Sequence, residues 1–225
     1  MTRVNTFLAG QGLVGKIFYN VIRWILFLLC TAYFRLHIDG KNNIPKMGAF
    51  ILAPIHRSNV DTPIACLSTP RRLRFMGKDS LWKIRPVGIA LSALGGFPVT
   101  RGTADLEALK RCLEVLALGE PIVLFPEGTR QSGEKVQPLF DGAAYLAIKS
   151  GVPIIPVGIG GTQAVMRKGS KFIYPKKCWM IIGKPIYPPQ TTPGRTPRSA
   201  KKELSAQLKQ SMQSLFDEAQ RCAGN

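Results

Sequence analysis

"GAFILAPIHRSNVD", residues 48–61, passes from an apolar run into a loop that carries His56 and Asp61. The apolar half, Gly48 to Pro54, follows the turn-rich "NNIPKMG" and reads as a buried strand. The chain has only two histidines, and one of them stands directly behind this strand. On one ideal helix, five residues rotate by about 500°, so the side chains of His56 and Asp61 would point about 140° apart. On an extended strand they would lie about 16 Å apart. They meet only where the strand ends and the chain folds back, and "RSNVDTP" is rich in turn and cap residues. A carboxylate on one imidazole nitrogen fixes the tautomer and leaves the other nitrogen to take a proton. The plain alternative is a surface loop that happens to hold both residues, because an HxxxxD string is common by chance.

Further apolar runs extend the pattern. "RLRFMGK" (Arg72 to Lys78), "PIVLFP" (Pro121 to Pro126), "PIIPVGI" (Pro153 to Ile159) and "CWMIIGKP" (Cys178 to Pro185) all read as strands. Helical patterns fall between them. Thr103 caps a segment with Leu106, Leu109, Leu113 and Leu116 on one face, ended by Gly119. "DGAAYLAIKSG" (Asp141 to Gly151) is a short helix with the same kind of stop. A last helix opens at Thr196 and Pro197 and carries Leu204, Leu208, Met212, Leu215 and Phe216 as a stripe for core packing. Alternating strands and helices predict an α/β fold: one layered domain with a mixed central β-sheet flanked by helices. A length of 225 residues suits such a domain, and there is no internal repeat or low-complexity tract.

Charge narrows the partners. Lys and Arg total 31 against 13 Asp and Glu, a net +18. From Gly142 to Lys202 there is no acidic residue at all. Such a field seeks an anionic bilayer, phosphorylated substrates or nucleic acid. Aromatics are not interleaved with the basic run as stacking platforms require, and no nucleic-acid motif is present, which disfavours nucleic acid. The five cysteines are odd in number and lack CxxC spacing, so they read as reduced and mostly buried, with neither a disulfide framework nor a metal site.

Residues 17–38, "IFYNVIRWILFLLCTAYFRLHI", are apolar with basic flanks. The uncharged run from Trp24 to Phe34 is half of what a spanning helix needs. A helix lying in one leaflet is expected, with Tyr19, Trp24 and Tyr33 at headgroup level and basic residues meeting anionic lipid. A span reaching back to Leu13 would have to bury Lys16 or Arg23. His37, without a partner in view, reads as structural.

Two more stretches bear chemistry. "LFPEGTRQSG" (Leu124 to Gly133) leaves a strand through a proline and offers Glu127, Gly128, Thr129 and Arg130. Gly128 lets the backbone approach a ligand, Arg130 can grip a phosphate, Thr129 adds a hydroxyl, and Glu127 binds hydroxyls or organises the arginine. A polar hairpin turn is the plain alternative. "GGFPVTRG" (Gly95 to Gly102) adds Arg101, a second candidate phosphate ligand beside the default of a surface arginine. No G-x-S-x-G elbow accompanies His56, and Ser58 lies too near it in sequence to serve as its nucleophile.

In this order and spacing, the stretches resemble the PlsC-like glycerophospholipid acyltransferase family. His56 and Asp61 match its HxxxxD box. "MGKDSLWKIRPVGIALSALGGFPVTRG" is similar to its second block, with Lys78, Leu81, Pro86, Gly88, Gly96 and Arg101 in step. "FPEGTR" (Phe125 to Arg130) is similar to the third, and "VPIIPVGI" (Val152 to Ile159) to the fourth. Asp79 and Thr100 depart from the usual pattern. The resemblance covers roughly residues 35–190 and implies acyl transfer from acyl-CoA or acyl carrier protein to 1-acyl-glycerol-3-phosphate, giving phosphatidic acid. It implies His56 as base and Asp61 as its orienting partner, with Lys78, Arg101, Glu127, Gly128, Thr129 and Arg130 binding substrate. No metal or cofactor is implied. The expected division is a membrane-associating segment over 1–38 and a catalytic domain over 39–225, held at the cytoplasmic face of a membrane. The alternatives are another lysophospholipid or glycerol-3-phosphate as acceptor, or a non-catalytic basic protein of membrane surfaces or nucleic acid.

Overall fold

In the computed structural model, which describes residues 12–99, 106–167, 169–170, 172–190 and 198–224, the apolar runs assemble into one seven-stranded sheet. The strands are β1 (His37–Asp39), β2 (Ile51–Pro54), β3 (Arg74–Lys78), β4 (Gly96–Val99), β5 (Ile122–Val123), β6 (Ile154–Gly160) and β7 (Trp179–Ile182). The helices are α1 (Leu13–Phe34), α2 (Asp61–Ala65), α3 (Arg85–Ala93), α4 (Leu106–Ala117), α5 (Gly142–Ser150), α6 (Thr162–Val165) and α7 (Arg198–Ala223). The expected mixed α/β sheet is present. Its order is β1-β7-β6-β2-β5-β3-β4, and only β6 and β7 pair antiparallel.

The sequence separates the strands that matter most, and the sheet reunites them. β2 lies between β6 and β5, and every residue of β2 and β6 is buried. Continuous apolar strands such as these suit a parallel sheet covered on both faces. Because β2, β5, β3 and β4 are parallel neighbours, their carboxyl ends share one edge. That edge receives the loop with His56, the loop with Glu127 to Arg130, and Lys78. In open α/β sheets, ligands bind outside the carboxyl ends of the strands.

Helices α4, α5 and α7 pack together and onto the sheet. The stripe of α7 packs inward as expected: Leu204, Leu208, Met212 and Phe216 are buried against β6 and β7. The fit is close enough that a Cβ on Gly158 would overlap the backbone of Leu215, and one on Gly160 that of Ala219. Gly158→Ala is therefore expected to lower stability by about 1–3 kcal/mol, read by thermal unfolding. The face of α4 keeps most of the leucine stripe, with Leu116 buried and Leu109 and Leu113 packed partly buried against the core. Its buried residues are Ala108, Cys112, Val115 and Leu116, while Leu106 is 76% exposed. The small side chains of Ala108 and Cys112 widen this buried face beyond the leucines. Thr103, Thr196 and Pro197, expected at helix starts, lie outside the described residues.

Two strands escape the periodicity. β1 is three residues long, and β4 contains Gly96 and Pro98. His37 is structural, its ring stacked on Trp179 at 4.3 Å.

Candidate active site

His56 stands two residues beyond β2. The chain then reverses, with the Asp61 amide donating to the Ser58 carbonyl, and Asp61 opens α2. The bend brings His56 Nδ1 to 3.1 Å from Asp61 Oδ2. The same oxygen accepts the backbone N–H groups of Arg57 and Ser58, each at 2.6 Å. Asp61 is fully buried, so these bonds hold a fixed acceptor against the imidazole. The imidazole stacks on Phe125 at 4.1 Å. With Nδ1 committed to Asp61, Nε2 is the nitrogen left to exchange a proton.

Glu127 was expected to meet substrate, but its carboxylate lies in the interior. It is 2% exposed and forms an ion pair with Arg57, Nη1 to Oε2, at 2.8 Å. Its oxygens also accept the backbone N–H groups of His56 and Gln137. Arg57 completes the structure. Its Nε and Nη2 donate to the carbonyls of Gly133 and Lys135, and its guanidinium lies 4.9 Å from the Phe216 ring centroid. The pair thus ties the His56 loop, the loop after β5 and α7 together. Sequence reading missed Arg57. The signal was an arginine next to the candidate base, answered by a glutamate in the other motif loop.

A cleft of about 680 Å³ opens beside this pair. His56, Gly128, Thr129 and Arg130 line its polar end. Asn59 and Thr62 also line it, and Phe75, Met76, Leu81, Trp82 and Leu91 form its apolar part. Arg130 is half-buried and, among the described residues, makes no ion pair. Gly128 has φ +70°, and the ring of Phe140 fills the place of its missing side chain. Lys78 ends β3 opposite Val99. Arg101, two residues beyond Val99, lies outside the described residues. Trp82 sits against Gly77, Gly88 and Gly96, and its Nε1 donates to Ser92 Oγ.

Neither Ser58 nor Cys66 is set up as a nucleophile. Ser58 is 1% exposed and donates to the Met166 carbonyl. Burial pushes the Cys66 thiol up to about 12, which keeps it protonated at neutral pH. Ser58→Ala and Cys66→Ala are expected to keep activity within a few-fold, with Ser58→Ala costing about 1 kcal/mol of stability for the lost hydrogen bond. All five cysteines are free thiols. Among the described residues, no group of three His, Cys, Asp or Glu side chains is placed to hold a metal ion.

A family model described as Acyltransferase matches residues 35–160. The chain is 32% identical over 159 residues to a chloroplastic 1-acyl-sn-glycerol-3-phosphate acyltransferase of Brassica napus, covering 69% of this chain and 46% of that protein. It is 28% identical over 151 residues to the 1-acyl-sn-glycerol-3-phosphate acyltransferase of Bacillus subtilis, covering 67% of this chain and 73% of that one. The matched region thus spans less than half of the plant relative. The crystal structure of the 1-acyl-sn-glycerophosphate acyltransferase PlsC from Thermotoga maritima superposes with a TM-score of 0.67 at 28% identity, covering 90% of this chain and 78% of that one.

Proposed function

Because this chain belongs to the acyltransferase family, we propose that it transfers a fatty acyl group from a thioester to the free hydroxyl of 1-acyl-glycerol-3-phosphate, forming phosphatidic acid. The observation that carries this reading is the His56–Asp61 pair at the polar end of a cleft whose other end is lined by apolar side chains, beside Arg130, which makes no ion pair among the described residues. His56 Nε2 takes the proton of the acceptor hydroxyl while Asp61 stabilises the imidazolium. The acceptor oxygen attacks the thioester carbonyl and forms a tetrahedral intermediate. Collapse of that intermediate forms the new ester, breaks the C–S bond and returns the proton from His56 to the departing thiolate. No acyl-enzyme is needed, which agrees with the engaged state of Ser58. The thioester itself supplies the activated acyl group, so the step needs no metal or cofactor. Arg130 holds the acceptor phosphate with Arg101 and Lys78, while Gly128 and Thr129 shape the polar end. Glu127 acts through Arg57 and the His56 amide as a positioning residue.

Helix α1 supports a membrane setting. It has 22 residues and is long and apolar enough to cross a bilayer by length and composition. One side is tied to the rest of the chain: Arg23 Nε donates to the Thr69 carbonyl, Tyr19 to the Arg71 carbonyl, and Arg72 to the Gly15 carbonyl. The other side leaves Leu13, Val14, Ile17, Val21, Trp24 and Leu29 exposed. A helix docked on one flank and apolar on the other suits the plane of one leaflet. The proposed location is the cytoplasmic face, where acyl-CoA and acyl carrier protein are available.

The test is acyl transfer by the purified protein in liposomes. Lysophosphatidic acid, other lysophospholipids and glycerol-3-phosphate are compared as acceptors, each with acyl-CoA and with acyl carrier protein. Phosphatidic acid from lysophosphatidic acid supports the reading. Transfer only to an acceptor without a phosphate monoester overturns the roles given to Arg101 and Arg130.

A further inference from the structure

Away from the catalytic cleft, a groove of about 760 Å³ is lined by Arg23 of α1 and by residues from the segments 41–46 and 67–71. Residues 41–46 precede β2 and residues 67–71 precede β3, so the groove lies at the amino ends of the strands, opposite the edge that bears His56. Its walls include Arg23, Lys41, Lys46 and Arg71, together with Asn42 and Ser68, and no acidic residue lines it. Among the described residues, none of the four cations makes an ion pair. The neighbouring groove differs, because there Arg74 is answered by Glu120.

Two of the four cations are held in place before any ligand arrives. Arg23 donates to the Thr69 carbonyl at 3.0 Å. Arg71 donates to the carbonyls of Pro45 and Gly119 and lies over the Phe50 ring. Burial lowers the pKa of Arg71, and the nearby charge of Glu120 works against that shift. Ser68, one of the residues that line the groove, is 2% exposed, and its hydroxyl has no hydrogen-bond partner among the described residues. Buried polar groups are rarely left so, and an unmet one commonly marks a missing ligand or water. Four unpaired cations, an amide and an unmet hydroxyl match the needs of a phosphate group.

The geometry points to a second anion site, distinct from the catalytic cleft, that takes the phosphate of an anionic phospholipid. The lipid source is favoured because Arg23, in the groove wall, belongs to the helix whose other side is an exposed apolar face. A headgroup in the groove leaves its tails free to lie along that face. The site does not depend on the catalytic reading, since it shares no residue with the cleft.

The test compares Lys41→Gln/Lys46→Gln with Lys149→Gln/Lys202→Gln, a pair on α5 and α7 that removes the same charge elsewhere. Binding is measured by flotation with phosphatidylcholine vesicles containing about one part in five phosphatidylglycerol, a lipid outside the proposed reaction. The groove pair is expected to lose about tenfold or more in affinity, and the control pair clearly less. Equal losses overturn the site and leave only general attraction to a cationic surface. Inorganic phosphate, titrated in parallel, separates the sources. If the groove pair loses phosphate binding but keeps vesicle binding, the lipid assignment fails. If it loses only binding to acyl carrier protein, the groove is a protein interface and the proposal fails.

Discussion

His56→Ala, folded and bound to liposomes, is expected to transfer acyl groups about 10²–10⁴-fold more slowly than the wild type, with the loss mainly in kcat. Among the described residues that line the polar end of the cleft, the imidazole is the group placed to take the acceptor proton. The measurement is steady-state transfer to lysophosphatidic acid, beside circular dichroism and flotation to show that fold and membrane binding survive. A variant that keeps more than about a tenth of the activity would remove His56 from the proton transfer. Asp61→Asn is expected to lose less, because the amide oxygen can still accept the N–H groups of Arg57 and Ser58. It no longer offers a charge to the imidazolium, and that difference is worth measuring beside the alanine variant.

Glu127→Gln is expected to cost about 3–5 kcal/mol, because it strips the charge from a fully buried partner and leaves Arg57 uncompensated. Thermal unfolding should fall by roughly 10 °C for a domain of this size. Activity should fall with it, since the same carboxylate accepts the His56 amide. A second variant separates stability from positioning. Arg57→Met with Glu127→Leu removes both charges together and should recover much of the stability, as buried pairs replaced by apolar residues often do. Activity should stay low, because no acceptor remains for the N–H groups of His56 and Gln137. Full recovery of kcat in the double variant would show that Glu127 serves stability alone.

The two variants probe different layers of one device. The catalytic pair is local, built by a five-residue reversal between β2 and α2. Its orientation is not local. It depends on a glutamate that arrives from β5, three strands later in the chain's path and next to β2 in the sheet. The arginine between them also meets Phe216 of α7, so the carboxyl-terminal helix reaches the back of the active-site loop.

Much of the molecule was legible because its central strands are buried on both faces. Gly48 to Pro54 and Pro153 to Ile159 show continuous apolar runs, and each became a central strand. The α7 stripe was legible for the same reason, since a long helix on a sheet needs one apolar face. β1 and β4 were not. The first is a three-residue edge pairing with no periodicity to detect, and the second holds Gly96 and Pro98, which are poor strand formers. The α4 stripe was legible in part: Leu109, Leu113 and Leu116 meet the core, whereas Leu106 is exposed and Ala108, Cys112 and Val115 share the buried face.

By itself, the sequence determined the central strands, the cationic surface and the candidate acid–base residues, since each is a local matter of residue type and spacing. It also showed that His56 and Asp61 could meet only through a bend, because neither regular backbone allows the contact. Only the tertiary structure decided that Glu127 turns away from the cleft to pair with Arg57. That choice rests on strand order, which brings β5 beside β2 and buries a carboxylate where only a guanidinium and backbone amides can answer it. A sheet's order depends on contacts between distant segments, and no stretch of sequence carries that information alone.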